Sequence, residues 1–105
     1  MKLSSKALIL AVAAAAFAPQ AWASEAIAKS AGCNACHAMD KKMLGPSYKD
    51  IAAKYKGDAA APEKLAERVR KGSKGVWGQV PMPASDAGKI NDSDLKAVIA
   101  WILKA

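Results

Sequence analysis

Apolar side chains recur at helical spacing along several stretches of the chain, and no stretch alternates as a β-strand would. The clearest stripe lies near the C-terminus, in a predicted helix that begins at Asn91 or Ser93 and extends to Lys104. Its apolar face comprises Leu95, Val98, Ile99 and Ile102, and is widened by Trp101 and Leu103. Such a face must pack against other parts of the molecule, which favours a helical fold.

Three shorter helices are predicted upstream of this one. The first spans residues 24–31, has Glu25 in its first turn and stops at Gly32. The second has Ser47 as its N-cap, stops at Gly57, and presents Tyr48, Ile51, Ala52 and Tyr55 on one face. The third spans 62–71, with Leu65 and Val69 turned inward. Residues 38–44 and the Gly- and Pro-rich stretch 72–83 are predicted loops, so the expected class is all-α with about four short helices.

The first 23 residues have the features of a cleaved secretory signal peptide. Lys2 and Lys6 precede an apolar run, and Ala21-Trp22-Ala23 offers small residues at the positions of a cleavage site. The run has about 12 residues, fewer than the roughly 20 that span a bilayer, so no membrane span is expected. The sequence therefore predicts a single mature domain, residues 24–105, in the periplasm.

Charge and size narrow the function of this mature region. Removing Lys2 and Lys6 leaves 14 basic and nine acidic residues, a net charge of +5. Without aromatic residues interleaved among the basic ones, and in that compartment, the charge gives no case for nucleic acid. A domain this small is marginal when stabilised by its core alone, so an additional covalent or metal-based staple is expected.

Cys33-Asn34-Ala35-Cys36-His37 is a Cys-x-x-Cys-His run, the attachment signature of a c-type haem. The two thiols can form thioethers to the porphyrin, and the imidazole of His37 then becomes an iron ligand. A disulfide or reactive dithiol is one alternative, although a redox Cys-x-x-Cys expects a βαβ context. A zinc site is another, although two Cys and the single His leave it one ligand short. Haem c is the expected staple, and the haem-free mature chain is expected to be largely unfolded.

The sixth iron ligand distinguishes an electron carrier from a gas binder or a peroxidase, and the chain has no second histidine. Reaching the other haem face takes roughly 15 to 20 Å, against at most about 3.5 Å per residue. Met39 is too close to His37, and Met43 reaches only when fully stretched. Both are expected to pack beside the haem. Met82 is 45 residues from His37 and lies in a Pro-Met-Pro frame, so it is the predicted ligand.

On these residues the chain resembles the small bacterial class I cytochromes c of the cytochrome c-551/c-552 type. The resemblance covers the mature region and rests on 33–37, Gly45-Pro46, 75–78, 80–83 and the helix around Trp101. It implies covalent haem c on Cys33 and Cys36, with His37 and Met82 as axial ligands. It also implies that the Pro46 carbonyl accepts a hydrogen bond from His37, and that Arg68 and Trp77 bind a haem propionate.

Two positions depart from the pattern of some relatives. Ser85 stands where an Asn often lies near the ligand methionine, which leaves the orientation and hydrogen bonding of the Met82 sulfur open. Ala28 stands where a larger apolar residue is sometimes found, so the packing of the first helix is expected to differ.

The resemblance implies a monomeric, non-enzymatic one-electron carrier that connects respiratory donors to a terminal reductase, oxidase or peroxidase. The alternative is a gas-binding or sensor module with a displaceable sixth ligand. A peroxidase would need distal acid/base residues that are not evident. Five lysines within sixteen residues could border the haem edge and attract an acidic redox partner, or could be an ordinary charged surface: Lys41, Lys42, Lys49, Lys54 and Lys56.

Overall fold

The computed structural model describes residues 20–105, and most of the predicted signal peptide lies outside this range. The described chain contains four α-helices and a short 3₁₀ turn. In order these are α1 (Gln20–Ser30), the turn Cys33–Ala35, α2 (Tyr48–Lys54), α3 (Ala61–Lys71) and α4 (Asp92–Leu103). Between residues 20 and 105 the only β-type pairing is an isolated bridge between Ser73 and Met82. The all-α prediction is confirmed.

Side-chain caps fix where two of the helices begin. The Ser47 hydroxyl accepts a hydrogen bond from the backbone N–H of Asp50 at 3.0 Å, as the sequence predicts. At α4 the cap is Asn91 rather than Ser93, since the Asn91 side-chain oxygen accepts from the Asp94 N–H at 2.8 Å. Each cap satisfies one backbone donor that the helix itself leaves without a partner.

Among the described residues, α1 already includes Gln20, four residues before the predicted start at Ser24. Alanine has the highest helix propensity, and the Ala-rich sequence before Ser24 continues the helix through the predicted cleavage site. Glu25 therefore does not lie in the first turn. The predicted stop is present, because Gly32 has a φ of +82°, a left-handed conformation that glycine adopts without steric cost. The predicted stop of the second helix was Gly57, but α2 ends three residues earlier, at Lys54.

Helix α4 is the common packing partner, because α1, α2 and α3 all contact it. Buried side chains form two clusters on its sides. One contains Ala28, Ala31, Ile90, Leu95, Val98 and Ile99, and the other contains Tyr48, Ile51, Tyr55 and Ala61. The apolar stripe of α4 thus packs in part against α1. Ala28 of α1 is fully buried in this first cluster, so a larger side chain at this position would require α1 and α4 to separate.

Arg70 of α3 forms hydrogen bonds to the segment between Met82 and α4 and to the first residue of α4. Its guanidinium donates to the backbone carbonyls of Ser85 at 3.3 Å and Ile90 at 2.7 Å, and to the carboxylate of Asp92 at 2.6 Å. The Ser85 N–H also donates to the Val69 carbonyl at 2.8 Å. These bonds hold the chain that follows Met82 against α3. None of the helices in the described part of the chain has the length and hydropathy needed to cross a membrane.

Candidate functional site

A cavity of about 400 Å³ is bounded by the turn after α1, by helices α2, α3 and α4, and by the loop 72–83. The structure brings all seven predicted site residues to its wall: Cys33, Cys36, His37, Pro46, Arg68, Trp77 and Met82. Much of the remaining wall is aliphatic and comes from Ile51, Leu65, Val69, Leu95, Val98, Ile99 and Ile102. A shallower depression between the end of α2 and the C-terminus contains none of the seven.

The two cysteines flank the short turn that follows Gly32. The backbone N–H groups of Cys36 and His37 both donate to the Cys33 carbonyl, at 3.2 and 3.0 Å, which folds the five-residue motif back on itself. Both cysteines are half-buried free thiols. Burial raises the pKa of the Cys33 thiol, while a backbone hydrogen bond and the positive charge of Lys89 act in the opposite direction. Among residues 20–105, no group of three or more His, Cys, Asp or Glu side chains could hold a metal ion.

The imidazole of His37 is held by a hydrogen bond between its Nδ1 and the Pro46 carbonyl oxygen, 2.7 Å apart. A carbonyl oxygen can only accept, so Nδ1 carries the proton and donates. The lone pair is then on Nε2, the nitrogen that remains available to a metal. This is the hydrogen bond that the resemblance implies for Pro46.

Tyr48 supports the other side of the His37 ring. The two rings stack with centroids 5.7 Å apart. The rings of Tyr48 and Trp101 are in an edge-to-face arrangement, with centroids 5.1 Å apart. The Tyr48 hydroxyl donates to the side-chain oxygen of Asn34 at 2.7 Å. Burial, followed by the nearby negative charges of Cys33 and Glu25, raises the pKa of Tyr48 to about 12, so the hydroxyl remains a donor at neutral pH.

Met82 lies at the base of the loop 72–83. Its backbone pairs with that of Ser73 in both directions, with N–H to carbonyl distances of 3.0 and 2.7 Å. Of the three methionines in the described part of the chain, only Met82 lines the cavity. Met39 and Met43 are 38% and 43% exposed, so the expectation that they pack beside the cofactor is wrong.

Arg68 and Trp77 place hydrogen-bond donors on the cavity wall. The Arg68 guanidinium donates to the Ser73 hydroxyl at 3.3 Å, but its Nε is buried and has no partner among the described residues. A buried donor without an acceptor is unfavourable, and a haem propionate would supply the acceptor. Trp77 is 40% exposed and lies under the Lys54 ammonium, which is 5.3 Å from its ring centroid. Paired thiols, an imidazole, a thioether, a buried donor and aliphatic walls together fit haem c.

The sequence did not reveal the role of several residues at the site. Tyr48 was predicted only as part of a buried face, and Asn34 is one of the two variable positions of the attachment motif. Gly45 packs directly against the His37 ring, and Lys74 and Lys89 also line the cavity. The glycines and prolines around Lys74 predict an irregular loop, but they do not predict that Lys74 lies at the cavity.

Known proteins share much of their sequence and fold with this chain. A family model described as "Cytochrome C oxidase, cbb3-type, subunit III" matches residues 19–102. The chain is 56% identical over 78 residues to cytochrome c2 of Rubrivivax gelatinosus, covering 74% of this chain and 92% of that protein. It is 47% identical over 85 residues to cytochrome c-551 of Pseudomonas aeruginosa, covering 79% of each. The crystal structure of wild-type Nitrosomonas europaea cytochrome c552 matches with a TM-score of 0.68 and 45% identity, over 76% of this chain and 96% of that one.

Proposed function

Since the chain belongs to the small class I cytochromes c and carries haem c covalently, we propose that it is a periplasmic one-electron carrier with His37 and Met82 as the iron ligands. The observation that carries the proposal is the single cavity to which the cysteines, the imidazole and one methionine all contribute. When bound, the haem supplies one-electron redox chemistry between ferric and ferrous iron. A soft thioether favours ferrous iron and raises the potential, which suits a carrier.

Each of the residues at the cavity has a separate task in this proposal. The thiols of Cys33 and Cys36 form the thioethers, and the Pro46 carbonyl fixes the tautomer and orientation of His37. Arg68 and Trp77 bind a propionate. The aliphatic walls keep water away from the iron, and two permanent ligands leave no open position for a substrate, which supports a carrier rather than an enzyme.

The packing of α1 supports the proposed removal of the signal peptide after Ala23. Trp22 is 75% exposed, and Ala23 is exposed as well. Ser24 is the first buried side chain of the described residues, and its hydroxyl donates to the Ala97 carbonyl of α4 at 3.4 Å. Trp22 and Ala23 therefore add little to the core, which supports cleavage between Ala23 and Ser24.

The surface charges support a partner with an acidic docking face. All five lysines of the predicted group are exposed: Lys41, Lys42, Lys49, Lys54 and Lys56. Lys54 lies over the ring of Trp77, which lines the cavity. Leu44 and Val80 line the cavity and are 62% and 61% exposed, so apolar side chains are also accessible at its rim. We propose that the protein acts as a monomer that meets its donors and acceptors transiently through this face.

The test is an optical spectrum of the holoprotein purified from a periplasm, beside the variants Met82→Ala and Met43→Ala. We expect a far-red sulfur-to-iron band in the ferric parent, no carbon monoxide binding by the ferrous parent, and a mass equal to residues 24–105 plus one haem. Met82→Ala should lose the band and bind carbon monoxide. Met43→Ala, which removes an exposed methionine outside the cavity, should behave as the parent does.

The opposite result has a clear meaning. A parent without the band that binds carbon monoxide readily would replace the carrier by a gas-binding or sensor module with a displaceable sixth ligand. A mass that retains residues before Ser24 would contradict the proposed processing alone, since the spectrum does not depend on where the chain begins.

A further inference from the structure

We propose that Lys54 is a positioning residue for Met82: its ammonium, placed on the ring of Trp77, fastens the loop 72–83 to helix α2 and limits how often Met82 leaves the iron. The inference rests on the proposed ligation by Met82. It assigns a role in the iron site to a lysine that the sequence placed only among surface charges.

The contact joins the two parts of the chain that hold the two proposed ligands. Helix α2 contributes Tyr48, which stacks on His37, and Lys54 lies in the last turn of the same helix. The loop 72–83 contributes Met82 and Trp77. The Lys54 Nζ is 5.3 Å from the centroid of the Trp77 ring, within the roughly 6 Å at which a cation is attracted by an aromatic face.

The other bonds of the loop hold its base and leave its tip to this contact. Ser73 pairs with Met82, and its hydroxyl accepts from Arg68 of α3. At the tip, the Gly75 N–H donates to the Gly78 carbonyl at 3.0 Å, a bond that stays within the loop. No hydrogen bond or salt bridge among residues 20–105 joins α2 to residues 72–83. The described polar attachment of the tip to α2 is therefore the Lys54 ammonium.

The charge of Lys54 is suited to its position in the last turn of α2. A cation in the last turn of a helix is favoured by the negative end of the helix dipole, so Lys54 is held towards the end of α2 nearest the loop. Trp77 is 40% exposed, so the attraction is that of a partly solvated pair. A contact of this strength, when it is already broken in the transition state for opening, corresponds to roughly a two- to fivefold change in the rate at which the loop opens.

Opening of the loop can be measured through ligand exchange. When the sixth ligand must leave before an external ligand binds, the binding rate at saturating imidazole equals the rate of opening. We therefore expect the saturating rate of imidazole binding to ferric holoprotein to be two- to fivefold higher in Lys54→Gln than in the parent. Lys54→Arg should restore the parent rate, because a guanidinium also stacks on an indole.

Lys56→Gln is the matched control. It removes the same charge two residues away, from an exposed side chain outside the cavity wall. We expect its imidazole rate to equal that of the parent, and the unfolding equilibrium constant of Lys54→Gln to exceed that of Lys56→Gln by no more than the same two- to fivefold factor. The far-red band of the parent should be present in all variants, since each retains Met82.

Three results would contradict the role of Lys54. These are an unchanged rate in Lys54→Gln, an equal increase in Lys56→Gln, which would indicate a general charge effect, and a failure of Lys54→Arg to restore the rate. A parent that lacks the far-red band would instead overturn the proposed ligation, and the inference with it. The spectrum of the parent thus separates the two failures.

Discussion

His37 is confined on three sides by the protein. The Pro46 carbonyl holds its Nδ1, the Tyr48 ring stacks on one face, and the backbone of Gly45 passes close to the ring. A Cβ atom at position 45 would lie 2.5 Å from the His37 Cε1 and 2.8 Å from its Nδ1. Real Cβ contacts are longer than this, so any side chain at position 45 must displace the imidazole.

Gly45→Ala is therefore expected to destabilise the holoprotein by about 1–3 kcal/mol, the usual range for added volume in a packed site. The added methyl also forces the ring away from the Pro46 carbonyl, which should change the iron site. The free energy of unfolding is measured with denaturant, and the iron site by the far-red band and the reduction potential.

Gly57→Ala is the control for this substitution. Its Cβ would meet no atom within 4 Å, but Gly57 has a φ of +79°, so an alanine there strains only the backbone. It should lower the stability and leave the band and the potential unchanged. If Gly45→Ala showed the same pattern as Gly57→Ala, the proposed fit of the glycine to the ring would be wrong.

Local signals in the sequence were enough to place α2 and α4. The hydroxyl of Ser47 and the amide of Asn91 cap these helices through bonds that depend only on residues three positions apart. The apolar faces of both helices also follow from spacing alone, and Leu95, Val98 and Ile99 are all buried. Elements defined by neighbours in sequence can be predicted from sequence.

Contacts between distant elements could not be predicted in the same way. The stacking of Tyr48 on His37 and the placement of Lys54 on Trp77 depend on how α2 approaches its neighbours in space. The predicted boundary of α1 at Ser24 was wrong because Ala21 and Ala23 have high helix propensity and continue the helix before it. The attachment motif and the Pro-Met-Pro frame are local, so they are enough to propose the thioether cysteines and the iron ligands. Pro46, Arg68 and Trp77 followed only from the resemblance, and the residues that support the ligands followed from neither.

At the scale of the whole molecule, the net charge of +5 predicted for residues 24–105 should speed reactions with anionic partners. Electrostatic attraction raises association rates tenfold or more, and salt screens it over about 10 Å at 0.1 M ionic strength. We expect oxidation of the ferrous protein by ferricyanide to slow as salt is added, and a double variant Lys41→Gln, Lys42→Gln to have a weaker salt dependence. A cationic cobalt complex serves as the control oxidant and should show the opposite trend. Rates that do not depend on ionic strength would remove the steering proposal.

The largest effect expected at this scale is that of removing the haem. Leu95, Val98 and Ile99 belong both to the buried core and to the wall of the cavity, so the cofactor site and the core share the same side chains. Without the haem, these apolar side chains would face an open cavity of about 400 Å³ instead of the cofactor. A domain of this size buries too little other apolar surface to compensate.

The test uses residues 24–105 with Cys33→Ala and Cys36→Ala, produced without haem. We expect this variant to have much less helical circular dichroism than the holoprotein and to show no cooperative thermal transition. The holoprotein, measured in the same buffer, provides the reference spectrum and transition. A haem-free chain with the helical content and cooperative unfolding of the holoprotein would mean that α4 and its neighbours close on themselves. In that case the two clusters of buried side chains beside α4 would be sufficient to specify the fold without the cofactor.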